Sequence, residues 1–270
     1  MKPDPTVQQS QWVVIESRQL GRHEAHSKGY KAAIESPLRI VISGDSVLDM
    51  GLYMRTPGND RELVTGLLYN EGIIEDSDEI LALDIEEGVA RVSLPEERLE
   101  GLVAMRGPLI VPGSCGVCGR LSLHKHKRVV SSDLVSEADL YQYHQRAGSE
   151  QSLFNETGGT HSATAYDRQG VLLSSMEDVG RHNAMDKLSG VITIKRMLPS
   201  VCILSGRISY ELVQKALTTG YSIVSGVGSA TSLAVELAKE NDLTLISFSR
   251  RDRMTILSAP RRVISHDNDQ

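Results

Sequence analysis

The sequence has 270 residues, of which 40% are apolar and 24% charged, so it is long enough to bury a sizeable core. Its net charge of −6 gives no electrostatic reason to expect a nucleic acid or a membrane surface as partner, and 4% aromatic residues are too few for a base-stacking platform. No apolar run reaches the length of a membrane span, the first residues lack a signal-peptide core, and three cysteines are too few for a disulfide framework. We therefore expect a cytoplasmic protein of one or two domains.

The first part of the chain, residues 1–112, predicts a small α+β domain. Apolar residues alternate with polar ones in several short segments, which is typical of half-buried strands. The predicted strands cover residues 12–20, 35–43, 48–53, 80–85 and 89–94. A turn at residues 57–60 leads into a helix, since Leu63, Leu67 and Leu68 follow at helical spacing and Gly72 closes the segment.

The second part, residues 136–270, predicts a three-layer α/β/α domain on a largely parallel sheet, because strands alternate with helices. The predicted strands are 162–167, 171–176, 201–204, 221–225, 243–248 and 254–257, and the helices lie at 136–148 and within 177–198, 209–219 and 229–240. This order is similar to that of cytidine deaminases. Zinc deamination is not expected, because His182 is not followed by the glutamate and residues 206–209 lack the cysteines of that chemistry.

A glycine-rich segment joins the two parts and contains two of the three cysteines. Residues 112–119 read Pro-Gly-Ser-Cys-Gly-Val-Cys-Gly, which places Cys115 and Cys118 two residues apart with Gly116 and Val117 between them. Such a segment is unfavourable in a packed core, because glycine loses more backbone freedom on folding than any other residue. We expect a mobile loop and basic linker over residues 113–135 that exposes both thiols.

The cysteine pair has four interpretations. In the first interpretation, the pair has no functional role. In the second, it binds zinc together with His124 and His126, although the His-x-His spacing is tighter than the spacing of most zinc-binding histidines. In the third, it performs dithiol redox chemistry, although residues 116–119 are a poor helix start. Alternatively, one thiolate carries sulfur as a persulfide. Positive charge close by favours a thiolate, and the basic residues that follow are Arg120, Lys125, Lys127 and Arg128.

Two polar segments are candidates for a binding site. Residues 157–161 read Thr-Gly-Gly-Thr-His, which suits a close approach of backbone to a ligand and equally suits a plain helix-to-strand connection. In residues 177–187, the first two acids suit a helix N-terminus, and Asp178, His182 and Asp186 would share one helix face. A carboxylate beside a histidine fixes its tautomer and raises its basicity; the alternative is a solvated charged face.

Three further segments lie where strands end. Residues 205–207 and 225–229 each join the carboxyl end of a strand to a helix, which is where open α/β sheets bind ligands and where helix N-termini suit phosphates. Residues 250–253, Arg-Arg-Asp-Arg, either hold anionic groups in arginine forks or form an ordinary charged hairpin tip.

Together these segments resemble the FdhD family, the formate dehydrogenase accessory sulfurtransferases. The matching stretches are residues 114–119, 157–161, 177–187, 205–207 and 231–235, and the likeness spans roughly residues 30–260. The resemblance implies a small α+β domain plus a deaminase-like α/β domain, and a dimeric protein. It also implies transfer of sulfur from a cysteine desulfurase to the molybdenum cofactor before that cofactor enters formate dehydrogenase.

The same resemblance assigns roles to residues. Cys115 becomes the persulfide carrier, with Cys118 as its assistant. The implied ligands are a guanine nucleotide such as GDP and the bis-guanine-dinucleotide form of the cofactor. The residues implied in binding them are Thr157, Gly158, Gly159, His161, Asp178, Arg181, His182, Asn183, Lys187, Ser205, Gly206, Arg207, Phe248, Ser249, Arg250, Arg251, Asp252 and Arg253. A non-catalytic chaperone for the cofactor and a cytosolic dithiol oxidoreductase are the alternatives.

Overall fold

A computed structural model of the protein describes residues 11–20, 25–43, 47–98, 128–250 and 253–265. The elements of the first part are β1 (Trp12–Leu20), β2 (Ala25–Ala33), β3 (Ser36–Ser43), β4 (Val47–Arg55), α1 (Asp60–Asn70), β5 (Ala82–Glu86) and β6 (Val89–Ser93). Those of the second part are β7 (Val135–Ser136), α2 (Glu137–Ser149), α3 (Ser152–Thr157), β8 (His161–Tyr166), β9 (Leu172–Asp178), α4 (Arg181–Ile194), β10 (Val201–Leu204), α5 (Tyr210–Thr219), β11 (Ile223–Gly226), α6 (Ser232–Glu240), β12 (Thr244–Arg250), β13 (Arg253–Ser258) and β14 (Val263–Ile264).

A four-stranded sheet with the order β4-β3-β6-β5 forms the core of the first part. Leu38, Ile40 and Ile42 of β3 alternate along the strand and are fully buried, which confirms the strand predicted from their spacing. They pack against Leu63 and Leu68 of the predicted helix α1. The first part is therefore a small α+β unit around one apolar core.

The hairpin of β1 and β2 forms a separate two-stranded sheet. Strand β1 has the predicted bounds, whereas β2 was not predicted. Its sequence, Ala-His-Ser-Lys-Gly-Tyr-Lys-Ala-Ala, has no apolar alternation, so it forms a strand because β1 supplies the backbone partners.

The second part is built on a six-stranded sheet with the order β13-β12-β11-β10-β8-β9. Only β10, β11 and β12 run parallel to one another, so the prediction of a largely parallel sheet was too broad. The outer strands belong to the hairpins β8–β9 and β12–β13, and a hairpin makes its two strands antiparallel.

Helices cover both faces of this sheet, which confirms the three-layer prediction. Leu188 of α4, Leu212 of α5 and Leu237 of α6 belong to the core on one face. Leu140 of α2 and Ile203 of β10 belong to the core on the other. No helix within the described ranges is long and apolar enough to cross a membrane.

Helices α1 and α4 pack together through glycines, and this contact joins the two parts. A Cβ atom on Gly66 would lie 1.8 Å from the carbonyl oxygen of Asp186, and one on Gly190 would lie 1.9 Å from that of Glu62. Only glycine permits so close an approach of the two backbones. The start of α4 is thereby held at a fixed position relative to the first part.

Candidate functional site

The carboxyl ends of the parallel strands meet at one edge of the six-stranded sheet. The turn after β10 contains Gly206, whose carbonyl oxygen accepts a 3.1 Å hydrogen bond from the backbone N–H of Gly228 in the turn after β11. The carbonyl oxygen of Gly228 in turn accepts a 3.2 Å bond from the N–H of Phe248 in β12. The strand-end segments 205–207 and 225–229 are therefore adjacent, as predicted.

The glycines of these turns allow the backbones to touch. A Cβ atom on Gly228 would lie 2.8 Å from both the Gly206 oxygen and the Arg207 nitrogen. A Cβ on Gly206 would lie 3.2 Å from Nδ1 of His161. The histidine ring thus lies directly against the turn, at the amino end of β8.

Two guanidinium groups, those of Arg181 and Arg207, make this edge positively charged, and the imidazole of His161 lies close to both. Burial lowers the pKa of His161, and the nearby charges of Arg181 and Arg207 lower it further.

Arg181 is the first residue of α4, whose N-cap, Gly180, has no side chain to satisfy the helix N–H groups. Nε of Arg181 is buried and has no hydrogen-bond partner among the described residues. Such an arrangement suits an anion, because the helix N-terminus and the two guanidinium groups act in the same direction.

His182, the next residue of α4, faces helix α5. Its Nε2 lies 3.2 Å from Oγ of Ser209 and 3.6 Å from Oε2 of Glu211. Burial lowers the pKa of His182 to about 3, assisted by the positive charges of Lys215 and Arg181. The imidazole is therefore neutral at physiological pH.

The expected helix start at Glu177 and Asp178 was wrong, because both residues end strand β9. Register with β8 places Asp178 opposite His161. The predicted shared face of Asp178, His182 and Asp186 does not form for the same reason: Asp178 lies outside the helix, and Asp186 bonds Lys215.

Asp178 instead anchors the start of α4. It is fully buried, pairs with Nζ of Lys187 at 2.7 Å, and accepts hydrogen bonds from the N–H groups of Thr56 and Gly180. Asn183 donates to Oδ1 of Asp178, at 3.0 Å. The side chains of Asp178, Asn183 and Lys187 are thus engaged with protein partners, and they position the charged edge.

The segment 157–161 is the connection from α3 to β8. Gly158 ends α3 in the left-handed conformation, with φ of 68°, as a C-cap that favours glycine. Glu177 accepts hydrogen bonds from the N–H groups of Leu153 and Phe154 at the start of the same helix, and from Oγ1 of Thr160. These contacts fix the position of the backbone that leads to His161 at the edge of the six-stranded sheet.

Phe248 lies at the same edge in a strained conformation. Its φ of 54° is rare for a bulky residue, and it occupies an irregularity between β12 and β13, where the register shifts after Ser247. Its side chain is 38% exposed. Its neighbour Ser249 is buried and bonds Oγ of Ser225 at 2.7 Å. The irregularity therefore leaves the aromatic ring partly exposed at this edge of the sheet.

Several predicted residues lie outside the described ranges. These are Cys115, Cys118, His124, His126, Arg251 and Asp252, together with the side chain of Arg250. Arg253 is described and begins β13 with its side chain exposed.

Within the described ranges no group of three His, Cys, Asp or Glu side chains could hold a metal ion. Cys202 is a buried free thiol whose pKa is raised by burial.

Sequence reasoning missed the residues that support the site from other elements. Thr56 receives Lys187 at its carbonyl oxygen, at 2.8 Å, and its Oγ1 accepts from the N–H of Val179. Glu211 and Lys215 lie four residues apart on α5, both buried, beside His182. The sequence had no signal for the last two, because the same helix also buries the polar side chains of Gln214 and Thr219.

The fold and this edge define a three-layer α/β protein with a positively charged cluster at the carboxyl ends of its parallel strands. Residues 33–264 match the sequence profile of the FdhD/NarQ family, and the chain belongs to that family. A relative from Saccharolobus solfataricus, named "Sulfur carrier protein FdhD", is 37% identical over 246 residues, which cover 89% of this chain and 93% of the relative. One of the same name from Nocardia farcinica is 36% identical over 251 residues, covering 86% and 88%.

A solved structure is also similar. The crystal structure of a proposed formate dehydrogenase accessory protein from Desulfotalea psychrophila superimposes with a TM-score of 0.74 at 25% identity. The match covers 94% of this chain and 99% of that one. The resemblance stated from the sequence motifs is thus confirmed at the level of the family.

Proposed function

We propose that this protein is a sulfurtransferase that carries sulfur from a cysteine desulfurase to the molybdenum cofactor in its bis-guanine-dinucleotide form, for use by a formate dehydrogenase. The family and the names of the relatives support sulfur carriage. The similarity to a formate dehydrogenase accessory protein supports the recipient. The observation that carries the acceptor's identity is the pair of arginines, Arg181 and Arg207, beside His161, with a buried Arg181 Nε that has no partner among the described residues.

The carrier step belongs to the cysteine pair. The thiolate of Cys115 attacks the terminal sulfur of the desulfurase persulfide, and the sulfur–sulfur bond of the donor breaks. A new sulfur–sulfur bond forms on Cys115, and the desulfurase cysteine leaves as a thiolate, so the step needs no external oxidant or reductant. Cys118 assists Cys115 in this step.

The charged edge binds the acceptor through the phosphates of its guanine nucleotides. Arg181 supplies Nε–H together with the N-terminus of α4, and Arg207 is exposed to reach an outer phosphate. His161 lies against the Gly206 turn and offers a ring nitrogen at the same place. The free nucleotide GDP contains the same diphosphate and is the simplest probe of this site.

Phe248 extends the site beyond the phosphates. Its exposed ring provides a flat apolar surface on which a guanine base stacks, and aromatic stacking of this kind contributes about 1–3 kcal/mol per base. The sequence after Phe248 contains Arg250, Arg251 and Arg253, which we propose as further ligands for the phosphates. We propose a homodimer as the working form.

Mass spectrometry after incubation with a cysteine desulfurase and cysteine tests the carrier role. We expect the mass of one added sulfur atom on Cys115, retained in Cys118→Ala and lost in Cys115→Ala. Cys202 is an internal control, because its buried thiol stays unmodified in every variant. Absence of the adduct, with tight binding of the cofactor, would support a chaperone instead. Oxidation to a Cys115–Cys118 disulfide in place of sulfur addition would support an oxidoreductase.

A further inference from the structure

A buried polar cluster lies behind His182, between helices α1, α4 and α5. Lys215 donates to both carboxylate oxygens of Asp186, each at 2.6 Å, and lies 3.3 Å from Oε1 of Glu211. Asn70 of α1 donates to Oδ1 of Asp186 at 2.7 Å. The side chains of Lys215 and Asp186 are 3% exposed, and that of Glu211 is 10% exposed. The cluster is therefore shielded from water on all three helices.

The charges in this cluster do not balance if every group is ionised. One ammonium faces two carboxyl groups, and Glu71, the residue after α1, adds a further negative field at both carboxyls. Burying an unpaired charge is costly, so a dry site of this composition favours protonation of one carboxyl group. Burial raises the pKa of both Asp186 and Glu211, while Lys215 opposes each rise.

The hydrogen bonds identify which carboxyl group takes the proton. Asp186 receives donors on its side-chain oxygens from Lys215 and Asn70, and an ionised carboxylate is the form that accepts them. Oε2 of Glu211, in contrast, is buried and has no hydrogen-bond partner among the described residues. A proton there gives the orphaned oxygen a donor function, and the atom it faces is Nε2 of His182 at 3.6 Å.

We propose that Glu211 is a neutral carboxylic acid whose Oε2–H is directed at Nε2 of His182, which makes Glu211 the residue that sets the tautomer of His182. The imidazole then carries its proton on Nδ1. The hydroxyl of Ser209, whose Oγ lies 3.2 Å from the same Nε2, donates or accepts according to the tautomer, so it does not decide between the two forms. With its proton on Nδ1, His182 offers an N–H donor to a ligand, in place of an accepting nitrogen. Glu211 is a positioning residue because it acts through His182, and its role in ligand binding rests on the proposed function.

The charged surroundings agree with a neutral histidine. The positive charge of Lys215 lies behind His182, and that of Arg181 lies on its edge side. A second proton on the imidazole would meet positive charge from both directions. The imidazole of His182 thus keeps a single proton, and Glu211 determines which of the two ring nitrogens carries that proton.

Nitrogen NMR of isotope-labelled histidine in the ligand-free protein tests the proposal, because the two ring nitrogens have distinct shifts in the two tautomers. We expect the Nδ1–H tautomer in the wild type. Glu211→Gln keeps a donor of the same length, so we expect the same tautomer. Glu211→Met keeps the size without a donor, and we expect a mixture in which the Nε2–H form appears. A wild type in the Nε2–H tautomer, or a Met variant with an unchanged tautomer, would overturn the proposal.

Isotope-edited infrared spectroscopy gives a second measurement that needs only one folded variant. With labelled glutamate, the carbonyl stretch of a protonated carboxyl group is expected in the wild type at neutral pH and absent in Glu211→Gln. A wild-type spectrum without that band contradicts the proposal. Neither measurement involves nucleotide or sulfur, so a failure of the proposed function, seen as absent GDP binding or absent persulfide, is distinguishable from a failure of this inference.

Discussion

Asp178 and Lys187 form an ion pair of 2.7 Å in which both side chains are at most 1% exposed. Both also bond Thr56, in the connection between β4 and α1, so the pair fixes the start of α4 to the first part of the chain. The positively charged edge begins with Arg181, and its position depends on this buried contact. The geometry of the site is therefore set by residues that do not face it.

Asp178→Asn tests this anchoring. The substitution keeps the shape of the side chain but leaves the buried Lys187 without its counter-ion, so we expect a loss of about 3–5 kcal/mol in the free energy of unfolding. Urea denaturation measures it. Asp49→Asn, in an exposed pair with Arg39, is the control and is expected to change little. Equal stability of Asp178→Asn and the wild type would remove the anchoring role.

Gly190→Ala tests the close contact of α1 and α4. The added methyl group would meet the backbone of Glu62 at 1.9 Å, so the helices must separate, and we expect a loss of at least about 3 kcal/mol. Gly148→Ala is the matched control, since this glycine also lies in a helix and a Cβ there meets nothing within 4 Å. We expect that control to gain up to about 1 kcal/mol. Similar effects at both positions would contradict the described packing.

His144 gives the protein a defined pH dependence. Burial lowers its pKa to about 4 from an ordinary value of 6.5, and its Nε2 lies 2.8 Å from Oγ of Ser225. The unfolded chain binds the proton more readily, so stability is present above pH 6.5 and falls as the pH drops toward 4. In His144→Gln we expect the slope of unfolding free energy against pH in this window to decrease by up to about 1.4 kcal/mol per pH unit. An unchanged slope would show that His144 titrates normally.

Arg181→Ala tests the anion site directly. Loss of a charge-assisted hydrogen bond costs about 1.5–3 kcal/mol, so we expect GDP to bind about 10- to 100-fold more weakly by calorimetry. Arg196→Ala removes an exposed arginine that pairs with Asp76 and Asp78, and its affinity for GDP is expected to match the wild type. Equal weakening in both variants would indicate a general charge effect in place of a site.

The sequence predicted most strands correctly because their apolar residues alternate strongly. The β3 residues Leu38, Ile40 and Ile42 are an example. It also placed the segments after β10 and β11 at one edge, since the carboxyl ends of parallel strands meet there. Strand β2 escaped prediction because its pairing partner, and not its own composition, makes it a strand.

The site was harder to predict where contacts come from distant parts of the chain. The adjacent acids Glu177 and Asp178 predicted a helix start. Asp178 instead accepts a hydrogen bond from Thr56, which lies more than a hundred residues earlier in the chain. Periodicity also gave no indication that Glu211 and Lys215 face inward toward His182 and Asp186. Such pairs depend on how α1, α4 and α5 pack together, which local patterns do not encode.

The central claim is that sulfur held on Cys115 passes to a guanylated molybdenum cofactor bound at the charged edge. Transfer of radiolabelled sulfur from the persulfidated protein to the isolated cofactor measures this directly, in the wild type and in Arg181→Ala. We predict that both proteins form the persulfide on Cys115 and that only the wild type transfers its label efficiently. Equal transfer by both proteins, or no transfer from a wild-type protein that carries the persulfide, would contradict the account.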